Sequence, residues 1–179
     1  FVNGGTIRSD IRQGEVSYNT LLSVFPYNNS VCTATMTGKQ IMDALEVSVH
    51  LYPNENGGFL QVSGLKFKVD PSVPTSVVID ENELFSHVEG SRRVLDVQVL
   101  DNASGQYVPI DPERTYTIAS SSFLIENHGD YGVLRYAKVK ERNLGQDVDM
   151  LALYLSQTLG GKIGAEYGQT EGRIVFVQP

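Results

Sequence analysis

The sequence predicts an α+β domain in which a mixed, partly antiparallel sheet packs with two or three helices. Three observations predict it. Apolar residues recur at helical spacing in two segments, Ile41, Leu45 and Val49 in one and Val148, Leu151, Ala152, Leu155 and Leu159 in the other. Other segments alternate with period two, as in Leu65-Lys66-Phe67-Lys68-Val69. The two kinds do not follow each other as regular βαβ units, and the extended segments form one stretch from Leu60 to Ala119, which favours antiparallel neighbours.

Taken in order, Phe1 to Arg8 is a short apolar lead-in with a glycine pair. Ser17 is placed to cap a short helix that runs to Val24 and stops before Pro26. Val31–Met36 is rich in β-branched residues and reads as a strand. Thr37 and Gly38 lead into an amphipathic helix over Lys39–Leu51. Asn54–Gly58 is a turn cluster, and Leu60–Val69 reads as one half-buried strand. Pro71–Gly90 is irregular, with Val77–Ile79 as a short strand. Arg93–Leu100 pairs as a hairpin with Tyr107–Ile110 through Asn102–Gly105, and Tyr116–Ala119 is a further strand. Val148–Leu159 is a helix stopped by Gly160-Gly161, and Ile174–Val177 closes the chain as a strand. At 179 residues the chain fits a single domain, 1–179, with enough length for its own core.

Composition removes several classes of function. The formal net charge is −7, so no broad basic surface exists for a nucleic-acid backbone. A small phosphorylated ligand stays open, because it needs only an arginine or two. The single cysteine, Cys32, excludes an internal disulfide and a Cys-based metal site, and its apolar run marks it as a small buried residue. No run of about 18 apolar residues is present, and no signal peptide. The chain begins at Phe1 without a start methionine, which suggests a piece of a longer protein.

Three motifs could hold a ligand. Asn3-Gly4-Gly5-Thr6-Ile7-Arg8 joins a tight bend to an asparagine and an arginine suited to phosphate or sugar hydroxyls. Phe25-Pro26-Tyr27-Asn28-Asn29 puts an aromatic ring at a helix end, where it can stack on a base. Ser120 to Gly132 follows a strand and mixes Phe123 with Asn127, His128 and Asp130. Taken alone, each has a plain structural reading: a glycine turn with a surface arginine, a tyrosine covering a helix end, an Asx turn. No catalytic constellation is present. His50, His87 and His128 lie on different segments with no metal-ligand spacing, Ser120–Ser122 lacks a nucleophile elbow, and there is no Walker A sequence. His50 suits a helix C-terminus, His87 an exposed position, and Asp147 and Asp149 a helix start.

Together, in this order and spacing, these segments resemble the C-terminal domain of the 5'-nucleotidase / UDP-sugar hydrolase family. The resemblance extends through Met36-Thr37-Gly38-Lys39, Gly58–Leu65, Thr115-Tyr116-Thr117, Gly129-Asp130-Tyr131-Gly132 and Glu171-Gly172-Arg173-Ile174, essentially the whole chain. It implies that Asn3 and Arg8 contact a bound nucleotide around its sugar and phosphates. It implies that Tyr27 and Phe123 sandwich the base, Asn29 hydrogen-bonds the base, and Asp130 binds ribose hydroxyls. No catalytic or metal-ligating residue is expected in this chain. The resemblance puts hydrolysis at a two-metal site in an N-terminal metallophosphoesterase domain, the expected partner within the same polypeptide, and implies a longer protein that is exported to the periplasm, the medium or the cell surface.

Two departures stand out. Tyr27 occupies a position where the family has phenylalanine. The Phe123-to-Asp130 spacing is one residue longer than the family pattern, with His128 in place of a glycine, so either the loop bulges or Leu124 takes the aromatic position. Nucleotide sugars, cyclic nucleotides and NAD remain open as substrates of the longer protein, as does a binding module without catalysis.

Overall fold

A computed structural model describes residues 1–126 and 130–177, with Asp130 described in its backbone alone. The chain opens with β1 (Val2–Asn3), a 3-10 turn over Gly4–Thr6 and α1 (Tyr18–Val24). Ser17 caps α1 as expected. Its hydroxyl accepts the Thr20 N–H at 3.2 Å, and Thr20 Oγ1 accepts the Ser17 N–H in return. β2 (Val31–Thr37) then leads directly into α2 (Gly38–Val49), and Thr37 and Gln40 form the same reciprocal cap. Gly38 is required at this junction, because a Cβ there would collide with the Asp111 carbonyl.

The sequence suggests one strand over Leu60–Val69, but the structure divides it into β3 (Leu60–Gln61) and β4 (Leu65–Val69). Gly64 sits between them at φ +71, a left-handed conformation that ends the first pairing and re-aims the chain. β5 (Val77–Ile79) is present and pairs antiparallel with β6 (Phe85–Val88), so the stretch read as irregular holds a two-stranded ribbon. β7 (Val94–Asp101) and β8 (Gln106–Pro109) form the expected hairpin, followed by β9 (Thr115–Ser121), α3 (Ser122–Ile125) and a kinked 3-10 segment over Asp130–Tyr136. β10 (Lys138–Glu141) follows; its short, charged sequence suits a sheet edge and carries no alternation to read. α4 (Asp147–Leu153) opens as a regular helix and continues as a π-helical turn over Tyr154–Thr158, where Ser156 Oγ donates to the Ala152 carbonyl. β11 (Ile174–Phe176) ends the fold.

The strands form a three-stranded antiparallel sheet, β10-β2-β9, and a four-stranded mixed sheet, β11-β4-β7-β8, in which β11 runs parallel to β4 and the rest are antiparallel. The core gathers α2 with both sheets. Met36, Leu45, Phe67, Val69 and Leu134 are all buried within it, as is Cys32, which burial holds as a thiol. Glu46 lies in this core at 0% exposure. Its carboxylate accepts the Ser76 hydroxyl (3.0 Å) and the Arg93 and Val94 backbone N–H groups (2.8 and 3.0 Å). Arg93 in turn donates to the carbonyls of Val49, His50 and Tyr52, each at 3.1 Å, and so closes the C-terminal end of α2. A buried charge is tolerable here because its lone pairs are taken.

Candidate functional site

The three motifs lie far apart in sequence and are tied together by short-range hydrogen bonds. The Phe1 amine donates to the Ala119 carbonyl at 2.7 Å, and Ser120 Oγ to the Phe1 carbonyl at 2.9 Å, which lays the first motif against the end of β9. The Arg8 N–H donates to the Val24 carbonyl at 2.9 Å, joining the same motif to the C-terminal end of α1, just before Pro26 and Tyr27. The Ser122 N–H donates to the Ser30 carbonyl at 2.8 Å. That bond ties the loop of Tyr27 to the start of α3, one residue before Phe123.

Both aromatics face outward. Tyr27 is 57% exposed and Phe123 37%, although α3 anchors itself in the core through Leu124 and Ile125. Leu124, the other candidate for the aromatic position, is therefore a core residue, and the ring that projects from this turn is Phe123. An exposed ring costs hydrophobic stabilisation that burial would have supplied, roughly 1.5–3 kcal/mol for a phenylalanine. Both rings leave apolar surface in solvent beside the same junction, where a ligand could cover it.

Asn3 is placed differently. It is 5% exposed, and its side chain is engaged within the domain: Nδ2 donates to the Gly57 carbonyl (3.3 Å) and Oδ1 accepts the Thr6 hydroxyl. The Gly4 and Gly5 N–H groups are also used, on the Phe59 and Gly57 carbonyls (2.7 and 2.8 Å). The glycines serve a backbone contact, since a Cβ on Gly5 would press on Gly57. Arg8 is exposed, and among the described residues its guanidinium makes one hydrogen bond, to the Gly5 carbonyl at 3.3 Å. Most of its donors face solvent.

Asn127, His128 and Gly129 lie outside the described residues, as does the side chain of Asp130. The segment that Asp130 begins is firmly seated. Val133 and Leu134 are buried, and the Tyr131 ring meets His50 edge-on with centroids 4.9 Å apart. Burial pulls the His50 pKa below its ordinary value, and its Nδ1 lies 2.6 Å from the Val47 carbonyl, so the neutral ring serves the end of α2 as a hydrogen-bond donor. Tyr131 and Gly132 both take positive φ, 59° and 63°, which makes the bend after Asp130. His87, read as exposed, is exposed and near Glu89.

Sequence reasoning missed one part of the site, a strap over Asn143–Asp147. It lies along the Tyr27 loop and is bonded to it repeatedly. Val31 N–H donates to the Gly145 carbonyl (2.9 Å), Leu144 N–H to the Val31 carbonyl (3.0 Å), and Asp147 N–H to the Asn29 carbonyl (2.9 Å). The Gln146 amide, oriented to satisfy its partners, donates to the Asn28 and Asn29 carbonyls (2.6 and 3.2 Å). Ser30 Oγ donates to Asn143 Oδ1 (3.0 Å). Arg142, just before the strap, pairs with Glu126 at the end of α3. The signal in the sequence was Gly145, which takes φ +139, a backbone conformation that L side chains rarely adopt.

Among the described residues, no group of three or more His, Cys, Asp or Glu side chains could hold a metal ion, and no helix is long and apolar enough to cross a membrane.

Comparison with known proteins agrees with this architecture. Residues 1–136 match the family model described as "5'-nucleotidase, C-terminal domain". A trifunctional nucleotide phosphoesterase of Bacillus subtilis is 31% identical over 96% of the chain, which spans 10% of that protein. The 5'-nucleotidase of Bos taurus is 29% identical over 98% of the chain and 28% of its own length. Among solved structures, a 5'-nucleotidase precursor from Thermus thermophilus superposes with a TM-score of 0.79 at 33% identity, covering 99% of this chain and 31% of that one. The NAD nucleotidase of Haemophilus influenzae shares the fold (TM-score 0.68, 17% identity, 98% of this chain and 29% of that one). The chain thus spans less than a third of the length of each of these relatives. On the family match over most of its residues, this chain belongs to the 5'-nucleotidase C-terminal domain family.

Proposed function

We propose that this chain is the substrate-binding and specificity domain of a hydrolase that removes phosphate from nucleotides, and that it holds the nucleoside part of the substrate. The observation that carries this reading is the junction of Tyr27 and Phe123, two exposed rings joined through the Ser30–Ser122 hydrogen bond. Tyr27 and Phe123 take the base between their faces, a kind of contact worth about 1–3 kcal/mol per base. Asn29 hydrogen-bonds the base edge. Arg8 turns its free donors to the sugar and phosphate side, and Asp130 accepts from ribose hydroxyls. Asn3 serves the ligand from beneath, by fixing the turn that carries Arg8.

Hydrolysis belongs to a separate metallophosphoesterase domain of the longer protein, where two divalent metal ions would supply an activated water and stabilise charge on the phosphoryl group. The chain's small share of its relatives' length supports that division, and its own residues bind and orient without cleaving. Relatives that include a 5'-nucleotidase precursor support export of the longer protein.

Calorimetric titration with adenosine and AMP tests the reading. Binding to both is expected, weakened by roughly tenfold or more in Tyr27→Ala, the loss of one stacking face. Equal binding by wild type and Tyr27→Ala would contradict it. Metal-dependent phosphatase activity in the purified chain would contradict the assignment of catalysis elsewhere.

A further inference from the structure

Of the apolar stripe along α4 and the π-helical turn after it, Val148 alone is buried, and Leu151, Leu155 and Leu159 are half-exposed. Four residues overshoot one α-helical turn and fall short of one π-helical turn, so the change of pitch at Tyr154 keeps these three leucines in line. They line an open groove of about 1470 Å³. Ile11 and Val16, from the loop ahead of α1, line it too, as do Leu21 and Val24 of α1 itself. Two tyrosine contacts hold the groove's sides together. Tyr18 Oη donates to Asp149 Oδ1 at 2.7 Å, joining α1 to α4. The Tyr154 and Tyr167 hydroxyls meet at 3.2 Å, joining the π-helical turn to a 3-10 turn over Ala165–Gly168.

The charged lining residues, Arg12, Glu15 and Lys162, are of both signs and all exposed, so the groove is not built for an ion. What it leaves uncovered is apolar surface at helical spacing, the pattern that receives the apolar face of another helix. A helix about 10 Å across has room there for roughly three turns. A second copy of the chain does not supply it. α2 turns its stripe into the core, α3 is a single turn, and α1 and α4 line the groove themselves, so no helical ridge is left to insert among the described residues. The longer protein has chain to spare. The matching family model is of a C-terminal domain, and the chain spans less than a third of its relatives' length, so much of a relative's chain lies ahead of the matching region. The first motif runs into the groove: the Arg8 N–H is bonded to the Val24 carbonyl, and Ser9 and Val24 both line it.

We propose that this groove docks an amphipathic helix from the segment of the longer protein just ahead of Phe1, with the apolar face of that helix against Leu151, Leu155 and Leu159. This rests on the reading of the chain as one domain of a longer hydrolase and does not depend on the nucleoside junction. The docked helix completes the burial that stops after Val148. It also braces α1, which lines the groove and ends at the loop of Tyr27.

The test is thiol labelling, read by peptide mass spectrometry. Cys32 is buried, so it stays silent while an introduced cysteine reports. Ser156→Cys places a thiol on the groove, and Ala103→Cys places a control on the exposed β7–β8 turn. Each is labelled in three forms: this chain, the chain extended by the roughly 40 residues ahead of Phe1, enough for a helix of three or four turns and its connection, and the longer protein. In this chain both cysteines are expected to react at similar rates. In the two longer forms Ser156→Cys should slow by roughly tenfold or more relative to Ala103→Cys. If Ser156→Cys does not fold, Ala152→Cys on the same lining replaces it. Slowing only in the longer protein assigns the cover to a distant part of it, and slowing in this chain alone with rising concentration assigns it to a second copy; either overturns the inference. Unchanged labelling in a longer protein that hydrolyses AMP also overturns it and leaves the proposed function standing. Protection in a longer protein that hydrolyses no nucleotide supports the inference and overturns the proposed function.

Discussion

The half of the molecule built around α2 and the rim that carries Tyr27, Phe123 and Asn29 solve opposite problems. Around α2, the most deeply buried charges are paired: Glu46 is wholly buried and takes three donors, and Arg93 donates to four carbonyls, although one Arg92 nitrogen is buried without a partner among the described residues. At the rim, aromatic rings stand in solvent, and Asn28, Tyr131 and Asn143 take positive φ without being glycine. Among the described residues, Asp147 Oδ2 is buried without a hydrogen-bond partner. The first region spends its interactions on stability and the second leaves some unmade, as a surface that receives a ligand must.

The largest expected effect lies in the first region. Glu46→Ala strips one acceptor from Ser76, Arg93 and Val94 inside the core, and unfolding by urea should show a loss of about 3–5 kcal/mol. A loss near zero would break the comparison. Ser17→Ala, at the cap of the helix that leads to Tyr27, is expected to cost about 1 kcal/mol. Tyr27→Ala should change stability by less, within about 0.5 kcal/mol, because its exposed ring makes little of the fold. The same substitution is the one that should cost binding.

The smallest effect is a pH dependence. Burial raises the Asp147 pKa above its ordinary 3.8, so the folded chain holds that proton more tightly than the unfolded chain. Stability from this group is present below the unfolded pKa and declines as pH rises through the folded value. Asp147→Asn removes the titration. Thermal melts at about pH 4 and about pH 7 should therefore show the variant gaining on the wild type as pH rises. His50 acts with the opposite sign. Its folded pKa is lowered, so the unfolded chain takes up the proton first, and stability falls as pH drops below its ordinary 6.5.

The two regions also differed in how well they could be read. The α2 stripe, the caps at Ser17 and Thr37, the β7–β8 hairpin and burial of Cys32 follow from local rules, since each depends on neighbours in sequence. Leu60–Val69 misled because its apolar pattern is continuous while Gly64 breaks its geometry. The six candidate ligand residues sit in motifs whose residue types suit a ligand, and their individual roles come from a family pattern; periodicity does not reveal them. The motif does not disclose that Asn3 is buried in this structure, with its amide bonded to Gly57 and Thr6. The strap over Asn143–Asp147 was invisible because its partners lie more than a hundred residues away in the chain, and a run of Asn, Gly, Gln and Asp carries no period. Only Gly145 hinted at an unusual backbone there, and a glycine in a polar loop has too many other uses.

The central claim is that a nucleoside lies between Tyr27 and Phe123. It is tested most directly by NMR with isotope-labelled tyrosine and phenylalanine, measuring Overhauser contacts from the protons of bound AMP. The account predicts contacts from the adenine ring to both Tyr27 and Phe123, and none to Tyr107 on β8 of the four-stranded sheet. Contacts confined to other rings, or none to Tyr27 when AMP is bound, would contradict it.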